Sequence, residues 1–581
     1  MDKKAVAAIL DEMGTLLELQ GANPFKARAF HNASRAVEGL TKELPVLVES
    51  DELLEVKGIG TTIAEIITDL IRKGKSKDYE ELRGSFPDGL LEMLRIQGLG
   101  PKRVKVLYEK LKIKNLSELE GAAKADRLSS LDGFGQKTQE NIIKGIEAVR
   151  KQSEKTLYPK AYDAAQAVLT GLTMRREVMR AEIAGSLRRH KEVIGDIDIV
   201  VSAREASRPQ LMNAFVSHSD VRTVVAKGET KSSVVLNSGI NCDLRIVSDA
   251  EFPFALNYFT GSKEHNIEMR SRAKKYGWSL NEYGFSDLDA SEKRGKSKRV
   301  VKCKDEGDVY KALDLQYIPP ELRENMGEIE LAGMRKLPHL LEFKDIRGTF
   351  HCHTTYSDGV NSLAEMADAA RDLGWEYLGI GDHSRSAAYA GGLTEGKVRA
   401  QFKEIDALNA KHPEFRIFKG TECDILPNGD LDWPDRVLAA FEYVVVSVHS
   451  NFRMPEGEMT RRIIKALKNK YVTMLGHPTG RLLLSRDAYP VDMVKVINAA
   501  SDHGKVIEIN AHPMRLDLDW RLCKYAKEKG VTIAINPDAH NIEGLRDVHY
   551  GVGIARKGWL EKRNVLNAQR LKSVLEYLKL S

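Results

Sequence analysis

The sequence predicts a multidomain α+β and α/β chain. It should have a helical N-terminal region, a central sheet of antiparallel or mixed strands, and a distorted β/α barrel at the C-terminal end. Three observations carry this. Two glycines set between apolar helices recur three times before residue 150. A block of alternating apolar and polar residues then runs from Gly171 to Val247. Beyond residue 337, short apolar runs ending in His, Asp or Glu alternate with helical patterns. At 581 residues the chain exceeds what one hydrophobic core serves.

Charged residues make up 30% and hydrophobic residues 42%, an ordinary globular mix with no apolar run of bilayer length and no signal-like start. A cytoplasmic monomer with no membrane partner is therefore expected. The net charge of +6 suits a nucleic-acid partner without requiring one. Five scattered cysteines argue against a disulfide framework. Ten of the fifteen histidines follow residue 350, which predicts a metal-binding domain there.

In chain order, residues 1 to 50 show helical periodicity, with Pro24 at a helix start. The glycine pairs Gly58/Gly60, Gly98/Gly100 and Gly133/Gly135 each permit a tight hairpin before a second helix. Helix N-termini so presented grip a DNA phosphate without reading sequence, and Lys102 beside the second pair adds charge. This resembles the helix-hairpin-helix motif. The stretch GSLRRHKEVIGDIDIVV at 185 to 201 follows. Asp196 and Asp198, two apart on a strand, share a face and repel unless a divalent cation lies between them. Asp243 in NCDLRIV adds a third acid. Three carboxylates suit two magnesium-class ions holding a triphosphate, with Gly185, Ser186 and Arg189 meeting the phosphates. The implied chemistry is nucleotidyl transfer. QYIPPELRENMGEIELA at 316 to 332 reads as a linker stopped by Pro319 and Pro320.

With GSLRR, GDID, DLR, YFTGSKEHNIEMR at 258 to 270 and NEYG at 281 to 284, residues 1 to 318 resemble the family X (polymerase-beta-like) DNA polymerases. The resemblance implies two Mg2+ or Mn2+ ions at Asp196, Asp198 and Asp243, and gapped or nicked DNA and deoxynucleoside triphosphates as partners. It implies further that Ser186, Arg189 and Gly195 meet the triphosphate, that Tyr258, Phe259 and Gly261 line the sugar pocket, and that Asn266 touches the base. Arg270 and Tyr283 would sit near the template. Lys263 departs from the family, since a vertebrate member carries an acid there, and a cation could strengthen nucleotide binding. Where lyase members carry lysines, this chain has Thr62 and Ile66, neither an amine nucleophile; Lys26 and Lys57 are the amines nearby.

RGTFHCHTTYSDG, LGIGDHS, FKGTECDIL, VVVSVHSNF, MLGHPTG and INPDAH follow. Their candidate ligands are His351, His353, Asp358, His383, Glu422, His449, His477, Asp538 and His540, too many for one ion and mixed enough to suit manganese or zinc. The signatures HxHTxxSDG, GDHS, HP and DAH resemble the polymerase-and-histidinol-phosphatase (PHP) domain. This implies up to three Mn2+ or Zn2+ ions and a phosphodiesterase in which His351 and His353 are catalytic. Together the resemblances imply a cytoplasmic, nucleoid-associated repair polymerase with a 3′-5′ exonuclease or 3′-phosphatase, able to cut at abasic sites. The implied division is a lyase-like domain (1–80), a hairpin subdomain (81–152), a nucleotidyltransferase palm (153–250), a nucleotide-selection subdomain (251–318), a linker (319–336) and a PHP domain (337–581).

Overall fold

The computed structural model describes residues 3–38, 40, 44–56, 58–96, 98–153, 155–288, 301–387 and 390–580. Lys57 and most of the charged loop expected at 287 to 300 lie outside them. The chain forms two compact units, Met1–Ser153 with Asp358–Leu363, and Glu154–Ser357 with Ala364–Ser581. Among the described residues no helix is long and apolar enough to cross a membrane. All five cysteines are free and buried.

The first unit is helical and has two cores. One gathers Val6, Leu10, Phe30, Ile63, Ile67 and Leu70; the other gathers Leu16, Leu19, Met93, Val104, Leu107, Leu119 and Ile146. Ile66 is buried in the first core, and Pro24 does open a helix, Pro24–Glu38. The three glycine pairs build one turn three times. The first glycine of each pair has positive φ (98°, 84° and 80° at Gly58, Gly98 and Gly133), where a Cβ is penalised. In each, the next residue's amide closes on a carbonyl three back: Ile59 to Val56, Leu99 to Ile96, Phe134 to Leu131, all within 3.1 Å. The second glycines, Gly60, Gly100 and Gly135, precede the helices Thr61–Lys73, Pro101–Leu111 and Gln136–Ser153, whose opening residues have no intrahelical acceptor for their amides.

The sequence credits the turn to both glycines of each pair, and the structure corrects this for the second. Gly60 and Gly100 hold ordinary extended backbone, with φ of −92° and −76°, and Gly135 is not among the glycines of positive φ. At all three a Cβ would meet nothing within 4 Å. The chain reversal therefore needs Gly58, Gly98 and Gly133 alone. What Gly60, Gly100 and Gly135 provide is a bare surface in front of the helix.

The second unit opens with a five-stranded sheet in the order Val178–Ile183, Asp196–Ala203, Asn241–Val247, Lys231–Leu236, Val221–Lys227. The central pair is parallel and the others antiparallel. Ile197, Ile199, Val201, Cys242, Leu244 and Ile246 turn to a core with the helices Tyr158–Thr173 and Arg208–Val216. Period-two alternation then puts Asp196, Asp198 and Asp243 on the opposite face.

The stretch expected to be a linker is packed. Arg323 is fully buried against the Tyr310 and Tyr317 rings and bonds the carbonyl of Ile318 and Glu306 Oε1. Pro320–Leu322 forms a 3₁₀ turn and Glu328–Gly333 an α-helix. The prolines stop long elements, as expected, but the ion pairs of the charged residues around them make a core instead of a spacer.

Seven parallel strands in sequence order form the rest: Gly348–Cys352, Tyr377–Ile380, Arg416–Asp424, Tyr443–Ser447, Met474–Leu475, Val506–Asn510 and Ile533–Asn536. A parallel bridge from Cys352 to Ala539 brings first and last together, so the barrel is nearly closed. Phe350, Tyr377, Phe418, Tyr443, Met474 and Val506 fill its interior.

Candidate active sites

The first site lies on the polar face of the five-stranded sheet. Parallel pairing sets Asp198 directly beside Asp243, with Asp196 two residues earlier on the same face. Burial, then the charges of Asp196 and Asp243, push the Asp198 carboxyl up to about 7, against the pull of Arg245 and Lys231. Lys231 reaches Asp243 at 2.6 Å. The helical turn Gly185–Arg188 begins at Gly185, where φ is 64° and an added Cβ would stand 2.2 Å from Asp198 Oδ2. The glycine is thus required by both backbone and clearance. Three converging carboxylates with one nearby lysine are a donor set that divalent cations fit.

The nucleotide candidates divide. Ser186 follows Gly185, and Gly195, exposed and unobstructed, precedes Asp196. Tyr258 and Phe259 meet edge to face at 5.2 Å, and Arg245 lies over the Phe259 ring at 4.4 Å. Asn266 donates to the Tyr258 carbonyl at 2.7 Å and leaves no space for a Cβ at Gly261. Tyr258, Asn266 and Arg270 line one crevice with Phe254 and Leu280. Lys263 and Tyr283 are exposed. Arg189, expected at the triphosphate, is otherwise engaged: its Nε donates to Glu324 at 2.9 Å and its Nη1 to the carbonyls of Thr260 and Gly261 at 2.7 and 3.0 Å. No signal near GSLRR announces Glu324, 135 residues away.

In the first unit the DNA-binding candidates sit at three helix starts. Gly60 and Gly100 cap their helices, and Lys102 is exposed beside the second cap. Gly135 is exposed too, and its carbonyl accepts from the Thr138 and Gln139 amides at 2.8 and 3.1 Å, so it opens the third helix in the same manner. The exposed cation there is Lys137.

The second site sits at the C-terminal ends of the barrel strands. Glu422, 1% exposed, lies among four imidazoles: Oε1 is 3.2 Å from His351, 3.3 Å from His449 and 2.9 Å from His477, and Oε2 is 2.9 Å from His383. Asp538 Oδ1 is 3.2 Å from His353 and 3.6 Å from His351. His353 stacks on His540 at 4.2 Å between ring centroids. Overlapping sets with ligand atoms within 4.8 Å are His351/His353/Asp538, His351/Glu422/His477, His383/Glu422/His449 and His353/His383/His540. Asp358 stands at the head of the stretch grouped with the first unit.

Here alternation along a strand is not what aligns the ligands. The strand carrying His351 ends at Cys352, and that carrying Asn536 ends two residues before Asp538. His351, His477 and Asp538 instead adopt positive φ (57°, 22° and 54°), left-handed backbone that non-glycine residues rarely hold without a reason in the surroundings.

Three carboxylates support these ligands: Asp382 and Asp424 lie within GDHS and FKGTECDIL, and Glu508 lies outside every quoted motif. Glu508, fully buried, accepts from His351 Nδ1 at 2.7 Å and from the His477 amide at 2.9 Å. Asp424 accepts from His449 Nδ1 at 2.7 Å. Asp382 anchors the loop after the first strand through the Thr354 amide and hydroxyl and Ser357. The only available signal for Glu508 was an acid in the buried strand VIEIN, where charge has no structural reason to be. Burial works against charging His449, but Glu422 and Asp424 outweigh it and raise it to about 9. Burial likewise opposes ionisation of Glu422, but the imidazoles of His351, His449 and His383 hold it well below the usual carboxylate range. His477 keeps a buried ring nitrogen, Nδ1, with no hydrogen-bond partner. Buried carboxylates among imidazoles, with such an orphan, fit cation binding.

Comparison with known proteins follows this geometry. A DNA polymerase beta thumb profile matches residues 255–324, helix-hairpin-helix profiles match 1–76 and 90–148, and the PHP domain profile matches 349–512. A DNA polymerase/3′-5′ exonuclease PolX of Bacillus subtilis (strain 168) is 39% identical over 581 residues, spanning 100% of both chains. A probable phosphatase of Thermoanaerobacter sp. (strain X514) is 30% identical over 240 residues, 39% of this chain and 93% of that one. The solved ternary complex of Leishmania infantum polymerase beta is 22% identical, covers 41% of this chain and 100% of that one, and has a TM-score of 0.27. The end-to-end match in sequence, on a chain that carries both the acid triad and the imidazole cluster, places it in a family: it belongs to the bacterial PolX group of family X DNA polymerases with a C-terminal PHP domain.

Proposed function

We propose that the chain adds deoxynucleotides to a DNA 3′ end at Asp196, Asp198 and Asp243, and removes 3′ nucleotides at the barrel centre. The observation that carries this reading is one chain holding two separate cation-binding donor sets, one of carboxylates and one mostly of imidazoles. Short gaps in repair are the substrate that three hairpins and a basic chain suit best. The open backbone at Gly60, Gly100 and Gly135 lets a phosphate come up to the helix amides behind it.

In the first site Gly185 lets the chain approach Asp198 closely, and Ser186 and Gly195 offer a hydroxyl and an amide to the triphosphate. Tyr258, Phe259 and Gly261 shape the space for the sugar, Asn266 faces the base edge, and Arg270 and Tyr283 stand toward the template. Lys263 supplies a cation at the rim. In the barrel, His351, His353, His383, Glu422, His449, His477, Asp538 and His540 form the ligand set. Glu508 and Asp424 hold the rings of His351 and His449 in the tautomer that turns Nε2 inward. When bound, divalent ions supply Lewis acidity to phosphoryl oxygens and activate the attacking oxygen in both sites.

Asp198→Ala should abolish incorporation on gapped primer-template and leave 3′ degradation intact, and His351→Ala should do the reverse. Loss of both activities in each single variant would defeat the two-site reading. Similarity of the barrel to probable phosphatases favours a second substrate, a 3′-phosphate blocking the primer. Release of inorganic phosphate from such a primer, sensitive to His351→Ala, tests it.

A further inference from the structure

Between the turn Gly185–Arg188 and the strand that opens at Asp196 lies a short connection, and residues of the C-terminal barrel hold it at three successive points. At the first, Lys557, fully buried at the end of the helix Val548–Lys557, donates to the Arg189 carbonyl at 2.9 Å, to Glu324 Oε1 at 2.6 Å and to the Glu321 carbonyl at 3.4 Å. The same Glu324 oxygen takes the Arg189 Nε hydrogen bond, so lysine and arginine share one carboxylate. At the second, His190, with φ of 52°, packs so closely on the same helix that a Cβ at Gly553 would stand 2.4 Å from its Nδ1. At the third, Glu192, 5% exposed, accepts from Trp520 Nε1 at 3.2 Å and faces Arg481 at 3.6 Å.

A buried ammonium loses its hydration, and an apolar side chain of equal length would pack there without that cost. What the ammonium adds is direction, because three acceptors at hydrogen-bond distance fix where the Arg189 backbone stands. On its far side Arg189 grips the carbonyls of Thr260 and Gly261, directly after Tyr258 and Phe259. A shift in this connection would therefore be felt both at the Gly185–Asp198 approach and at the crevice beside Tyr258.

We propose that Lys557, a residue of the PHP barrel, is a positioning residue for nucleotide addition, holding the 189–192 connection from the barrel side. This rests on reading the three acids as the addition site. The consequence is that a substitution in the degrading domain harms the synthetic activity and spares its own.

The test uses full-length Lys557→Met and, as a milder probe of the same connection, Glu192→Gln. Steady-state incorporation on gapped primer-template and 3′ degradation of single-stranded DNA are measured on the same preparations. Expected is a fall in kcat/KM for the deoxynucleotide of about tenfold or more, mostly through KM, with degradation unchanged. Should Lys557→Met not fold, Glu192→Gln decides alone. Unchanged kcat/KM, or degradation falling in step with incorporation, overturns the proposal. A wild-type chain that degrades 3′ ends but adds no nucleotide defeats the addition-site reading itself, and the positioning claim with it.

Discussion

At the scale of single residues, clearances of a few tenths of an ångström set the chemistry. Gly185 combines a left-handed backbone with a Cβ position already occupied by Asp198 Oδ2, so Gly185→Ala meets two penalties. The backbone conformation costs about 1–2 kcal/mol, and the displaced carboxylate spoils the triad. Incorporation should fall about 100-fold while 3′ degradation persists, measured on one gapped substrate with separate primer labels. Glu508 makes the parallel case in the barrel: it touches His351 at the ring nitrogen remote from Glu422. Glu508→Gln should weaken manganese binding by about 10- to 100-fold, read by titration calorimetry, with the polymerase activity unaffected. Glu508 was only half legible in the sequence: an acid in the apolar run VIEIN is a local signal, but its role is fixed by the contact with His351 Nδ1 at 2.7 Å.

At the scale of elements, the segment from Asp305 to Gly333 shows how charge can build a core. Burial disfavours the Glu306 carboxylate, but Arg323 and Arg188, at 2.7 and 2.6 Å, outweigh it and hold it down to about 2. Because this value is below the ordinary 4.5, the pair's contribution is complete above pH 4.5 and drains away as pH falls toward 2. Urea midpoints across that interval should drop in the wild type and flatten in Glu306→Gln, which starts from a lower plateau. Proline pairs and charge suggest a spacer when partners are unknown, and those partners are remote in the chain: 118 residues away for Glu306, at Arg188, and 233 for Glu324, at Lys557. The three hairpins were legible for the opposite reason: a glycine with positive φ, the amide after it and the carbonyl that accepts from that amide lie within four residues. Within each pair, however, the sequence could not tell the glycine that makes the turn from the one that only clears space, because φ at Gly133 and at Gly135 is a property of the folded turn.

At the scale of the whole molecule, both proposed sites gather donor sets that fit divalent cations. Chelation should therefore halt incorporation and degradation together, while binding to gapped DNA persists and weakens linearly in log-log plots against salt. Anisotropy titrations at several salt concentrations, with and without chelator, check this. The sequence by itself determined the fold class, since periods of two and 3.6 residues and the recurring glycine pairs are local properties. It also determined which side chains were candidates for chemistry, because motifs of a few residues carry them. Only the tertiary structure decided how those candidates are held: parallel pairing sets Asp243 against Asp198 across 45 residues, and His351 and Asp538 take left-handed backbone at the ends of their strands. Arg189 was drawn to Glu324, and Lys557 of the barrel to both. Such choices belong to burial, where a charge must take whichever partner the packing delivers, and packing is settled between segments far apart in the chain.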